Sequence, residues 1–160
     1  MKIRAFDLDD DFDAIKTWIT DERTHTMWCA NRIPYPLEKE KLRSFLSEIA
    51  GRFGDSPFVA VNDEGRVVGF YCYSLNHETH EGMLKFVMVD ASVRGKGIGK
   101  EMIKLAVCKA FTDPEVWPYS LMCFRRMQEP RDAMRVLDLP KGKILLTHSS
   151  IKTSLGADVI

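Results

Sequence analysis

The residues best suited to chemistry lie between positions 86 and 104. There Phe-Val-Met-Val-Asp-Ala-Ser-Val runs into Arg94-Gly95-Lys96-Gly97-Ile98-Gly99-Lys100. Glycine at every second position lets the backbone turn with successive N–H groups facing inward, and it clears side chains from a closely approaching ligand. An amphipathic run follows, so a helix would aim its unsatisfied N–H groups and partial positive charge at the same spot. Arg94, Lys96 and Lys100 add cationic reach. The expected guest is a phosphate or pyrophosphate. Two familiar phosphate loops fit badly. Glu101 follows Gly99-Lys100 where a magnesium-binding hydroxyl would be needed, and the spacing is G-x-G-x-G rather than G-x-G-x-x-G.

The elements that must hold this loop can be read from periodicity. Residues 2–6 read as a strand and Asp9-Asp10-Asp11 as an acidic helix start, with Phe12, Ile15, Trp18 and Ile19 on one apolar face. Residues 21–36, with Thr, His, Asn and two prolines, read as irregular. Pro36 opens a second helix that buries Leu42, Phe45, Leu46 and Ile49 and ends at Gly51. Residues 58–61 and 67–75 form a hairpin about Asn62-Asp63-Glu64-Gly65; residues 76–82 are a polar turn, and 83–89 the strand entering the loop. Residues 97–111 read as a helix with Ile98, Met102, Leu105 and Val107 among its apolar positions, and 119–124 as a short strand. The pattern predicts one α/β (α+β) domain over residues 1–160, with a mixed, mostly antiparallel central sheet flanked by helices and an atypical stretch at 122–160.

At 160 residues the chain can bury roughly two-thirds of its unfolded surface. Its 23 Lys+Arg balance 23 Asp+Glu, so no bulk charge draws it to nucleic acid or an anionic membrane, and any basic site is local. No signal-like apolar segment opens the sequence and no apolar run reaches membrane-span length, which predicts a cytoplasmic protein. Cys29, Cys72, Cys108 and Cys123 are scattered, with no C-x-x-C pair and no nearby His at zinc spacing, so buried reduced thiols and no metal are expected.

Val89-Asp-x-x-x-Arg94-Gly-Lys-Gly97-Ile-Gly99, followed by a helix, resembles the acyl-CoA signature of the GNAT superfamily of N-acyltransferases, R/Q-x-x-G-x-G/A. The resemblance takes in the preceding hairpin and the order of elements over about residues 2–121, with the sharp motif at 87–99. It implies a splayed strand in which the backbone of Val87, Met88 and Val89 pairs with the pantetheine arm of acetyl-CoA. It implies that N–H groups of Arg94, Gly95, Lys96, Gly97, Ile98 and Gly99 hold the pyrophosphate, and that an amine enters between the helical N-terminal half and the strands. The amine must be neutral to attack a thioester, so a base or water chain must take its proton. A backbone N–H near Met88 or Val89 would polarise the thioester carbonyl. For the base the sequence offers Glu81 or Glu78, with His77 and His80 beside them, and Glu81 shares strand parity with Met83. Trp18, Trp28, His25, Tyr35, Tyr71 and Tyr73 are candidate walls for the acceptor pocket.

The C-terminal third departs from the family pattern. Members follow the fifth strand with N-x-x-A-x-x-x-Y-x-x-x-G-F, whose Tyr protonates the CoA thiolate. Alignment on Ala133 places Leu137 there, no Gly-Phe follows, and Pro140 interrupts. Back-translated residues 122–140, read one nucleotide earlier, permit N-V-F-Q-K-N-A-G-T-x-R-C-Y-E-x-x-G-F. The Val and the Ala are forced by Met122, Met127 and their neighbours; the other letters are permitted by degeneracy. That string restores the family's Asn, its Tyr and its Gly-Phe at the right spacing, so a nucleotide lost near Leu121-Met122 is the expectation. Met127, Met134, Val136 and Ile144-Leu-Leu would then be accidental apolar text, and an unpaired sheet edge would favour a homodimer.

The sequence thus predicts an acetyl-CoA-dependent N-acetyltransferase acting on a primary amine of a small molecule or peptide, with no nucleic-acid or membrane partner. A non-catalytic or impaired acyl-CoA-binding protein is the second reading. A nucleotide-binding protein unrelated to CoA is the third.

Overall fold

The fold is that of a computed structural model, which describes residues 1–110 and two strands at 120–124 and 143–147. Elements run β1 (Lys2–Ala5), α1 (Leu8–Trp18), α2 (Glu22–Cys29), α3 (Lys39–Phe53), β2 (Ser56–Val61), β3 (Val67–Asn76), β4 (Glu81–Val89), a 3-10 turn (Ala91–Val93), α4 (Ile98–Ala110), β5 (Ser120–Phe124) and β6 (Lys143–Thr147). The strands form one sheet in chain order, antiparallel from β1 to β4 and parallel from β4 through β6. A mixed, mostly antiparallel sheet flanked by helices is therefore what forms. The run Ile144-Leu145-Leu146, expected as unselected tail, lies within β6.

Alternation along β2 and β3 explains the two cores. Val59, Phe70 and Cys72 face one way and bury against Phe12, Ile15 and Trp18 of α1 and Leu42, Phe45 and Ile49 of α3. Ala60, Val68 and Tyr71 face the other way, against Met102, Ala106, Val107 and Ala110 of α4. Each fully buried Leu, Ile or Phe contributes about 1.5–3 kcal/mol relative to exposure. On the α4 side the approach is close: a Cβ at Gly69 would collide with the Met102 sulfur. Glycine here lets the helix sit on the sheet.

Local signals set the helix ends, and four of them differ from the sequence reading, the first being that α3 begins at Lys39 rather than at Pro36. Asp7, not the acidic run after it, caps α1 through its carboxylate, which accepts from the Asp9 and Asp10 N–H groups at 2.8 and 3.1 Å. Residues 22–29 are helical rather than irregular. Asp21 caps them by accepting from Thr24 N–H at 2.7 Å, and His25 and Cys29 are buried. Weak helix formers are held there by packing, which outweighs propensity. Gly51 lies inside α3, and the helix ends at Gly54 with φ 65°, the left-handed cap that glycine adopts at least cost. Among the cysteines, Cys29 and Cys72 are buried but Cys108 is exposed, because it falls on the solvent face of α4.

Candidate acyl-CoA site

Strand β4 carries the site. Phe70 pairs with Met88 and Cys72 with Lys85, so two residues, Phe86 and Val87, oppose Tyr71 alone. This is a β-bulge, and it reverses side-chain parity along the strand. Phe86 sits at φ 52°, an uncommon region for a bulky residue. Parallel pairing with β5 covers only Gly82, Met83 and Leu84. From Lys85 onward that edge of β4 has no partner strand among the described residues. Val87, Met88 and Val89 all lie along it.

Two side chains fix the bulge. The indole Nε1–H of Trp28 donates to the Phe86 carbonyl at 2.8 Å. The Phe45 ring meets Phe86 edge-on at 5.1 Å, and Trp28 meets Phe70 edge-on at 5.8 Å. Just before the bulge, Lys85 reaches back to the buried Asp55, with Nζ 2.5 Å from Oδ1.

Beyond β4 the chain is clamped again. Asp90 N–H donates to the Val68 carbonyl at 3.0 Å, and the Asp90 carboxylate accepts from Ser92 N–H at 2.8 Å. The Arg66 guanidinium pairs with the same carboxylate and reaches Ser92 Oγ at 3.2 Å. Burial alone would raise the Asp90 carboxyl. The Ser92 hydrogen bonds and Arg66 outweigh it and hold the group below the ordinary carboxylate range. A depressed folded value means the stabilisation is complete above the unfolded pKa, near 4, and is lost as pH falls through the folded one. Asp90→Ala should therefore melt below wild type at neutral pH, with the gap closing as pH is lowered past that range. A gap independent of pH in a melting series would count against the clamp.

The loop then turns through Gly95 and Gly97, each at φ 77°. Any side chain there would strain the backbone by about 1–2 kcal/mol. Gly99 differs: its φ is not positive, and a Cβ would meet Val89 Cγ2 at 3.6 Å, an ordinary contact. That matches a motif position at which glycine and alanine alternate. Glu101 N–H donates to the Gly97 carbonyl at 3.0 Å, the first bond of α4, so the N–H groups ahead of it are left pointing at the loop. The N–H groups of Gly95, Lys96 and Gly97 donate to no described residue. Arg94, Lys96 and Lys100 are exposed. An anion-receptive arc thus adjoins a strand edge able to pair with an extended amide chain.

Glu81 stands at the opposite end of β4, paired with Asn76, and its Oε2 accepts from Thr79 Oγ1 at 3.0 Å. It precedes the bulge by five residues, roughly 16 Å of extended strand. Glu78 lies in the adjoining turn, where its N–H donates to Asn76 Oδ1 at 2.9 Å, and His80 there has φ 55°. Of the candidate pocket aromatics, Trp18 is part of the α1–α3 core and Tyr71 part of the α4 core. Burial pushes the Tyr71 hydroxyl well above its ordinary pKa. His25 is buried, and burial lowers its pKa, so it stays neutral at pH 7. Its ring meets Trp28 at 6.3 Å and the exposed Tyr35 at 5.5 Å, forming an aromatic line from the surface to the bulge. Sequence reasoning missed the Phe86 bulge and the Arg66–Asp90 clamp; only the Asp90-x-Ser92 spacing, an Asx-turn signal, was there to find.

Comparison with known proteins agrees with this geometry. A family model described as "Acetyltransferase (GNAT) family" matches residues 12–118. Among solved structures, a spermidine N-acetyltransferase chimera of Vibrio cholerae and human sequence superposes with TM-score 0.63 at 13% identity, covering 85% of this chain and 76% of that one. Aminoglycoside acetyltransferase AAC(6')-Ib in complex with coenzyme A gives 0.63 at 17% identity, over 84% and 79%. Glucosamine-6-phosphate N-acetyltransferase from Arabidopsis thaliana gives 0.59 at 15%, over 98% of each chain. No sequence match to a curated protein was found. The chain belongs to the GNAT acetyltransferase family. Its family match stops short of Leu121, and residues 125–142, with Leu137 and all but the first three positions of the frame-shifted text, lie outside the described residues.

Proposed function

We propose that the protein binds acetyl-CoA and is built to transfer its acetyl group to a primary amine of a small molecule or peptide. The observation that carries this reading is the junction of a bulged β4, whose described pairing with β5 ends at Leu84, with the left-handed Gly95 and Gly97 loop at the N-terminus of α4. The free β4 edge at Val87, Met88 and Val89 would pair with pantetheine. The loop N–H groups, with Arg94, Lys96 and Lys100, would hold the pyrophosphate, and no metal enters the reading. The structural relatives are named for polyamine, aminoglycoside and amino-sugar substrates, which favours a small-molecule amine.

Transfer needs the amine neutral, its nitrogen near the acetyl carbon, and a proton for the departing thiolate. Glu81 would receive the amine proton through intervening water, given its distance from the bulge. The thiolate proton is where this chain falls short, because Leu137 stands where the family tyrosine is expected. The second reading, an impaired acyl-CoA-binding protein, rests on that leucine alone. A cytoplasmic location and a homodimer belong to the same proposal. Among the described residues no helix is long and apolar enough to cross a membrane.

A thiol-release assay over a panel of polyamines, aminoglycosides, amino sugars and peptide amines tests the function. Release of CoA with at least one amine supports the enzyme. Stabilisation by acetyl-CoA with no release across the panel leaves the binding reading.

A further inference from the structure

We propose that Trp28 is a positioning residue for acyl transfer, acting through the peptide unit that joins Phe86 to Val87. The inference rests on the acetyl-CoA reading above. The Phe86 carbonyl and the Val87 N–H belong to one planar trans peptide, so they point in opposite directions and share one electronic system. The indole N–H holds that carbonyl at 2.8 Å. A hydrogen bond to the carbonyl draws density from the amide and makes its N–H a better donor, an effect that grows in a low-dielectric setting. It also fixes the orientation of the unit, which the left-handed φ of Phe86 would otherwise leave costly to maintain.

The location gives this consequence. The unit lies in the bulge opposite Tyr71, where two residues meet one and the regular ladder is broken. It also lies two residues past Leu84, where pairing with β5 stops. Of the amides beyond that point, the Val87 N–H is the one whose own peptide carbonyl is held by a side-chain donor, Trp28. The Val87 N–H is therefore assigned to the thioester carbonyl oxygen.

The step balances as ordinary acyl transfer. The amine lone pair forms the N–C bond while the carbonyl π pair moves onto oxygen, where Val87 N–H stabilises it. Return of that pair breaks the C–S bond, the thiolate takes a proton from solvent, and the amine nitrogen gives one up. The backbone proton never leaves Val87.

Trp28→Phe and Trp28→Tyr retain a ring against Phe70 and remove the indole donor. The carbonyl stretch of acetyl-CoA labelled with 13C at that carbon is read in complex with the full chain, which needs no turnover, together with calorimetric acetyl-CoA affinity. In wild type the stretch should fall below its value in free acetyl-CoA. In both variants it should return toward the free value while affinity stays within about threefold. With an accepting amine, single-turnover transfer should drop about tenfold or more. Failure of wild type to bind acetyl-CoA would overturn both the cofactor reading and this one. Binding without any shift in wild type, or an equal shift in the variants, would overturn the role of Trp28 alone. So would variants that melt early and lose affinity in step with an unchanged stretch.

Discussion

Inserting one nucleotide at codon 121 should raise acetyl transfer by about 10²–10⁴-fold, the usual worth of a positioned general acid or base. Acetyl-CoA affinity should change little, because the loop and the β4 edge precede that codon. The expectation follows from one residue. Aligned on Ala133 to the GNAT pattern, Leu137 falls where a tyrosine is expected to hand its proton to the leaving thiolate, and an aliphatic side chain has none to give. The frame-shifted text restores Asn, Tyr and Gly-Phe at family spacing, and the family match ends at residue 118, ahead of the proposed lesion. Steady-state rates of the two chains, measured on the same amine, decide the matter. Equal rates would remove the frameshift from the account, as would a source gene that encodes the present text through codon 140.

Gly97→Val should weaken acetyl-CoA binding by about tenfold or more, since 1–2 kcal/mol of left-handed strain approaches or exceeds the 1.4 kcal/mol that corresponds to tenfold. The valine must either hold φ near 77° at that cost or relax and turn neighbouring N–H groups away from the phosphates. A branched Cβ would also crowd the path of the ligand. Gly99→Ala is the matched control: its Cβ meets Val89 at 3.6 Å and its φ is ordinary, so affinity should hold within about twofold. Calorimetric titration of the three proteins with CoA reads the difference directly. Similar affinities for Gly97→Val and Gly99→Ala would mean that the loop does not grip the ligand through its backbone.

Much of the loop's backbone geometry was legible because its cues are local. Alternating glycines between an apolar strand and an amphipathic helix specify a turn with inward N–H groups, and the structure places Gly95 and Gly97 in the left-handed region that this requires. The hairpin at Asn62 to Gly65 was equally plain; Asn62 accepts from Glu64 and Arg66 N–H groups at 3.1 and 2.8 Å. Helix α2 was not legible, because Thr, His, Trp and Cys favour no helix alone and are held by contacts with β4 formed only on folding. The bulge at Phe86 and Val87 was invisible for the same reason. It is a relation between two strands, and nothing in the run Lys85-Phe86-Val87-Met88 marks where the register slips. Glu81 was favoured by parity with Met83, which says which face a side chain takes but not how far along the strand it lies. The pocket aromatics divided by face: Trp18 and Tyr71 serve the cores, whereas Trp28 reaches the bulge.

The central claim is that residues 94–99 hold the pyrophosphate of CoA while β4 holds its pantetheine arm. Thermal unfolding of the full chain with acetyl-CoA, CoA, pantetheine or ATP, each at equal concentration, tests both halves at once. A ligand that binds only the native state stabilises it by RT ln(1 + [L]/Kd), so at equal concentration the tighter ligand raises the midpoint more. Acetyl-CoA and CoA should raise it by several degrees, and pantetheine or ATP, each engaging one half, by much less. A midpoint that ATP raises as far as CoA, or that neither CoA nor acetyl-CoA moves, would contradict the account.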